Sequence, residues 1–317
     1  MDKAVMVLTY LLIMVSFLAI ALVVYIYKKQ KEERTELLNE YREVKLFRYK
    51  YEEQEDGIII TGADFSSKKD RGSIVLRIPS DIYGKKVLGI ADSAFQYNEL
   101  LYKVIIHNAI KIGKNAFKGC TKLVIVSIHN VETIDDYAFY GCESLRQINI
   151  SNSSNLKYIG ESAFECKVSS KYEDNYSIMM GGIGESLGAP KIYLNLPSKL
   201  KRIGKNAFKD SNISNVTIPD FIEHIGENAF EDCIQLETVK IGEMSFWKVI
   251  EEGTFSRCTS LEHINLPESI THISEYAFYN CKNLKSIIVP KSIETIDEYA
   301  FHGCENLELI YKSKDKE

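Results

Sequence analysis

Seven cysteines and six histidines are the side chains of this 317-residue chain that could bind a metal, close disulfides or act as nucleophiles. Cys120, Cys142, Cys233, Cys258, Cys281 and Cys304 each stand three residues after a phenylalanine, and Cys166 stands two after one. Zinc sites are built from close ligand pairs such as C-x-x-C; the chain has none, and no histidine shares a ligand spacing with the cysteines. A free cysteine packs as a small buried hydrophobe, so a cysteine recurring at one repeat position reads as a reduced structural ladder. Coils ~4.8 Å apart would not exclude disulfides by distance, but identically oriented side chains suit the ~90° S–S torsion poorly. His224 and His272 share one column, six residues before a phenylalanine, and read as a stacked surface pair. The run GGIGESLG lacks the G-x-G-x-x-G spacing of a nucleotide loop, and P-loop, G-x-S-x-G and H-E-x-x-H motifs do not occur. The expectation is a protein that is not an enzyme, with no cofactor, no metal and no small-molecule substrate.

The elements that must carry these side chains are set by a repeat. An Ala-Phe or Thr-Phe pair ends at Phe95, Phe117, Phe139, Phe164, Phe208, Phe230, Phe255, Phe278 and Phe301, at intervals of 22, 22, 25, 44, 22, 25, 23 and 23. A leucine six residues after the phenylalanine, then apolar residues three and five further on (Leu123, Val126, Ile128), alternate as a half-buried strand does. Five of the six prolines, Pro79, Pro197, Pro219, Pro267 and Pro290, follow such strands, where a missing N–H and a fixed φ stop the strand. A second apolar pair, such as Ile222 and Ile225, supplies the opposite wall, and Gly or Asp follows at Gly113, Asp135, Gly160, Gly204, Gly226 and Asp297. That residue suits a turn into one helical turn that buries the Ala-Phe pair. A period of this length indicates a solenoid. The 44-residue interval holds an insertion, about 169–190, and residues 51–90 keep the strand-proline pattern without the cysteine, as an N-terminal cap would.

Ahead of the repeats, Ala4 to Tyr27 carry no charged residue, long enough for a helix to cross a hydrocarbon core about 30 Å thick. Residues 1–27 read as an uncleaved membrane anchor; a cleaved signal peptide is the alternative, given the small residues Ala19 and Ala21. Lys28, Lys29, Lys31 and Arg34 follow the span against Lys3 before it, which favours a cytoplasmic repeat domain. Residues 28–50 are rich in helix formers, with Leu37, Tyr41 and Val44 on one face, and read as a charged helical stem. Residues 313–317 form a tail. The formal charge of −5 leaves no basic excess for a phosphate backbone, so nucleic acid is not expected as a partner.

The frame, in which L-x-x-I-x-L-P leads through I-x-x-I-G to A-F-x-x-C over about residues 72–311, resembles the cysteine-containing leucine-rich repeats of BspA-like proteins. IPSDIYGKKVLGI looks like that family's N-terminal cap. The resemblance implies a β-rich α/β fold, a right-handed stack of about ten coils over residues 91–312, used for adhesion or protein binding, often at the cell surface. It carries over no catalytic residue.

In a solenoid the ligand face is usually the sheet whose exposed positions alternate with buried ones. Those positions form one column of Lys103, Ile125, Gln147, Tyr193, Asn215, Thr238, His263 and Ser286. The parallel column is Ile105, Ser127, Asn149, Asn195, Thr217, Lys240, Asn265 and Ile288. Short polar residues dominate the middle, with Tyr193 as the aromatic anchor, so the candidate protein-binding face is Gln147, Asn149, Tyr193, Asn195, Asn215, Thr217, Thr238, Lys240, His263 and Asn265. Five N-x-S/T sequons, at Asn149, Asn152, Asn175, Asn212 and Asn215, would matter only in a eukaryotic secretory route. The expected function is a membrane-anchored interaction or adhesion module; the alternative is a scaffold on the cytoplasmic face of the membrane.

Overall fold

The computed structural model describes residues 48–65, 74–166 and 191–311. The anchor at 1–27, most of the stem, the insertion and the tail therefore lie outside the described residues. The chain divides into two units, 1–48 and 49–317, of which the second contains the repeats. A strand, Arg48–Gln54, begins within the stretch read as helical stem.

The coils contribute a long strand and a two-residue strand each, except that the first, ahead of Phe95, carries the six-residue strand Lys85–Ile90 on the short-strand wall. The alternation of apolar and polar residues places Leu123, Val126 and Ile128 fully inside, and the second apolar pair, as at Val131 and Ile134, closes the other side. Long strands pair in parallel and in register, coil on coil: Val104 with Val126 and Val126 with Ile148, then Val216 with Val239 and Val239 with Ile264. On the other wall Ile112, Ile134, Ile159, Ile203 and Ile225 pair in sequence. The phenylalanines stack between the walls as nearly parallel rings. Their centroid spacings run from 5.0 Å between Phe139 and Phe164 to 5.6 Å between Phe230 and Phe255. Phe164 stacks directly on Phe208 at 5.4 Å, so the 44-residue interval counts as a single step of the stack.

The described residues contain no helix, which corrects the α/β part of the expected fold: the stack is an all-β solenoid of nine phenylalanine-marked coils. The Ala-Phe pair is held by consecutive turns instead. Ala116 N–H donates to the Gly113 carbonyl and Cys120 N–H to that of Phe117, both at 3.2 Å. Between them, Phe117 N–H donates to Ala138 and Gly119 N–H to Tyr140 on the following coil, both at 2.7 Å. Alternate amides therefore serve the coil and its neighbour, whereas an α-helix would spend all of them internally. The third residue of these turns has positive φ, as a type II turn requires: Asn115 at 56° and Gly119 at 69°, with Asn206 and Asn228 both at 55°. At the Gly/Asp position the coils also approach closely, and a Cβ on Gly204 would lie 2.6 Å from the backbone nitrogen of Glu161.

The cysteine ladder has a role beyond packing. All seven thiols are free, six are buried and Cys304 is half-buried. Cys120 Sγ donates to the Phe95 carbonyl at 3.2 Å, Cys142 to Phe117 at 3.4 Å, Cys233 to Phe208 at 3.2 Å, Cys258 to Phe230 at 3.2 Å, Cys281 to Phe255 at 3.1 Å and Cys304 to Phe278 at 3.0 Å. The one-residue offset of Cys166 sends its thiol to Cys142 O at 2.7 Å. From Asn115 to Cys120 the amides donate onward or within their own coil, so over this stretch the thiol is the donor that reaches back to the preceding coil. Weak as an S–H donor is, it supplies a buried carbonyl with a second partner. Ser211 fills the same position after Phe208 and contacts Cys233 Sγ at 3.3 Å.

Candidate functional site

The long strands form two sheets. The first joins Ile74–Ile78, Leu101–His107, Ile125–His129 and Gln147–Asn149; the second joins Ile192–Asn195, Ile213–Ile218, Thr238–Ile241, His263–Asn265, Ser286–Val289 and Glu308–Tyr311. The single pair of columns read from the sequence is thus divided. Gln147 and Asn149 lie on the first sheet and the other eight candidates on the second, with the division falling where residues 167–190 intervene.

Within the second sheet the register brings the candidates together. Tyr193 pairs with Asn215, Asn215 with Thr238, Thr238 with His263, and Asn195 with Thr217, which pairs with Lys240. Asn265 continues to Ile288. Tyr193, Asn195, Thr217, Lys240, His263 and Asn265 are exposed, and Asn215 and Thr238 half-buried. Tyr193 is 66% exposed, enough to present its ring to a partner rather than to its own coil. His263 Nδ1 lies 3.1 Å from Ser286 Oγ, and Ser214 Oγ donates to Asn215 Oδ1 at 2.9 Å. At the start of these strands stand ion pairs between neighbouring or next-neighbouring coils, Lys191 with Glu237 at 2.5 Å and Lys285 with Glu262 at 2.7 Å. The hydrogen bond from Lys285 holds the Glu262 carboxyl below its ordinary range, and Glu237 raises Lys191.

On the first sheet the side chains bond to one another. Gln147 Nε2 donates to Asn149 Oδ1 and Asn149 Nδ2 donates to Ser127 Oγ, both at 3.1 Å. Ile105 and Ser127, read as exposed members of the column, are buried. Most of the exposed candidate positions therefore lie on the second sheet.

His224 and His272 do not stack. The strand Val249–Ile250 lies between them in chain order, and the two histidines belong to different sheets. His224 instead faces Glu251 at 3.7 Å and His272 faces Asp297 at 3.4 Å. The stacked pair is His107 and His129, 4.9 Å apart and nearly parallel, at the ends of adjacent long strands. Both stand twelve residues after a phenylalanine, a repetition visible in the sequence. Among the described residues no three His, Cys, Asp or Glu side chains are placed to share a metal ion. The sequon asparagine Asn212 is buried.

No curated protein sequence matches the chain. Among solved structures it is similar to the leucine-rich-repeat protein of T. pallidum, at 26% identity over 68% of this chain and 88% of that one, with a TM-score of 0.50. It is also similar to a leucine-rich cell surface protein from Faecalibacterium prausnitzii, at 20% identity over 84% and 94% of the two chains and a TM-score of 0.31. For the pneumococcal vaccine antigen PcpA the figures are 19%, 85%, 80% and 0.43. A family model for the BspA-type leucine-rich-repeat region matches residues 89–179 and 191–308 in six copies. Matched over more than half of its length by that frame of strand, proline, Ala-Phe and cysteine, the chain belongs to the BspA-type leucine-rich-repeat family.

Proposed function

We propose that the chain is a non-enzymatic, membrane-anchored binding module that engages a protein partner through the second long-strand sheet, in adhesion or another interaction. The repeat fold is of a kind typical of protein interaction and adhesion. The observation that carries the reading is the paired face that begins at Tyr193: an exposed aromatic side chain on the first strand of the sheet, followed across it by the short polar residues Asn195, Asn215, Thr217 and Thr238. An exposed aromatic ring amid adaptable hydrogen-bonding groups, with charged pairs toward the margin, is how a protein-binding patch is composed. The anchor is supported by the uncharged run Ala4 to Tyr27.

A second reading, a scaffold on the cytoplasmic face of the membrane, is favoured by Lys28, Lys29, Lys31 and Arg34 immediately after that run. Protease treatment of intact cells separates the two. Digestion of the repeats without lysis is expected for a surface module; repeats protected until the membrane is opened would contradict it and leave the scaffold.

A further inference from the structure

One corner of the solenoid repeats a cation-binding arrangement without its cation. In the coil of Phe139, Tyr137 and Tyr140 stand two residues before and one after the phenylalanine, with their rings edge-on, 5.6 Å apart. The preceding coil fills the space over them. Lys118 Nζ lies 5.6 Å from the Tyr137 ring and 5.2 Å from that of Tyr140, and Lys114 Nζ lies 5.7 Å from Tyr137. An ammonium over tyrosine faces is held by the ring quadrupole.

The coil of Phe278 places Tyr276 and Tyr279 at the same two positions, edge-on and 5.7 Å apart. The positions that carry Lys114 and Lys118 earlier are here Glu252 and Ser256. The result is an open cavity of about 490 Å³, floored by Gly253 and the buried Ser256. Its aromatic side is extended by the next coil, where Tyr299 stacks on Tyr276 at 5.8 Å and His302 on Tyr279 at 5.8 Å. The Glu252 carboxylate, exposed beside these rings, makes no hydrogen bond or ion pair among the described residues. Arg257, on the opposite wall, does not make this an anion site. Its guanidinium is bound by both carboxylate oxygens of Asp232, at 2.6 and 2.5 Å, and by Glu231 at 2.6 Å, so its charge is already met by two carboxylates.

We propose that this cavity binds an alkylammonium group, the side chain of a lysine presented by a partner, in the place that Lys118 fills for Tyr137 and Tyr140. Tyr276 and Tyr279 offer the ring faces, Glu252 supplies the countercharge, and Ser256 leaves the room. The site lies at the Ala-Phe corner, apart from the long-strand face, and does not depend on the function proposed for that face.

The test is a saturation-transfer NMR titration of the full chain with n-butylammonium, alongside neutral n-pentanol and tetramethylammonium. Saturable binding of n-butylammonium, without binding of n-pentanol, is expected. Tyr279→Ala and Glu252→Gln should each weaken it by about five- to tenfold, the loss of one cation–π or charge contact. Ser256→Lys should abolish it by restoring the chain's own lysine, and Glu252→Lys, an exposed substitution that leaves the fold intact, should do so by charge. Equal binding of the alcohol, undiminished binding by Glu252→Lys, or binding of tetramethylammonium with none of n-butylammonium would overturn the assignment.

Discussion

Replacing Phe230 with alanine takes a ring out of the middle of the stack and measures how the coils hold one another. Phe230 is fully buried, and its ring lies 5.4 Å from Phe208 and 5.6 Å from Phe255, within 8° of parallel to each. A buried Phe→Ala change costs about 3–5 kcal/mol through lost transfer free energy and the cavity left behind. Two ring contacts, each about 0.5–1.5 kcal/mol, put this site at the upper end of that range. Phe301 has Phe278 on one side at 5.3 Å and is half-buried, so the same change there should cost roughly half as much. Stability in a coil stack is close to a sum of coil and nearest-neighbour terms, so the central substitution also loosens the coupling of the two halves. The assay is urea unfolding of the full chain followed by far-UV circular dichroism. With slopes of about 1–3 kcal/mol per molar urea, Phe230→Ala should lower the midpoint by about 2 M or split the transition, and Phe301→Ala by about 1 M. Equal shifts for the two substitutions would refute a stack held by neighbour contacts.

Three further outcomes are expected. Alkylation of the native chain near pH 8, read by mass spectrometry, should label Cys304 first, because it is half-buried where the other six are buried, and its neighbour Cys281 lowers its thiol. Labelling of Cys142 or Cys258 at a comparable rate before unfolding would contradict the ladder. Burial pushes Cys120, Cys166 and Cys233 up to about 12 from an ordinary value of 9.0. A thiol raised in the folded state contributes stability that is full below pH 9 and is lost as pH rises through 12; the urea midpoint should therefore fall across that window, and a midpoint constant to pH 12 would count against buried thiols. Arg257→Gln should cost about 1–2 kcal/mol in the same urea assay, because it leaves the nearly buried Glu231 with Lys209 alone, and the exposure of Arg257 limits the loss. No change would mean that the pair is fully screened.

The strand columns were legible in the sequence because a side-chain period of two and a coil period of 22 to 25 residues are both written in residue type. Leu123, Val126 and Ile128 are as buried as their alternation implies. The Ala-Phe corner reads in sequence as a helical turn because its deciding feature, positive φ two residues before the phenylalanine, falls on residues of mixed type. Asn115, Asn206 and Asn228 carry that signal, but Tyr137 at 58° and Tyr276 at 57° conceal it. The thiol bonds depend on which coil a carbonyl faces, and no property of a cysteine in sequence records that. The strand columns hold their register on the second sheet, whereas near their start Ile105 and Ser127, which alternation marks as exposed, are buried. The cavity at Tyr276 and Tyr279 is written in no single residue, because Glu252 and Ser256 stand out only against Lys114 and Lys118 of an earlier coil.

Partner retention on the intact chain tests the long-strand face most directly. With a protein partner captured by the parent chain, Tyr193→Ala combined with Thr217→Lys should reduce retention at least about tenfold, as expected for loss of an aromatic anchor. Both side chains are exposed, so folding should be unaffected. Lys205→Ala, an exposed substitution at the corner turn, should retain the partner as the parent does. Equal retention by the face variant and the corner variant would contradict binding through the second long-strand sheet.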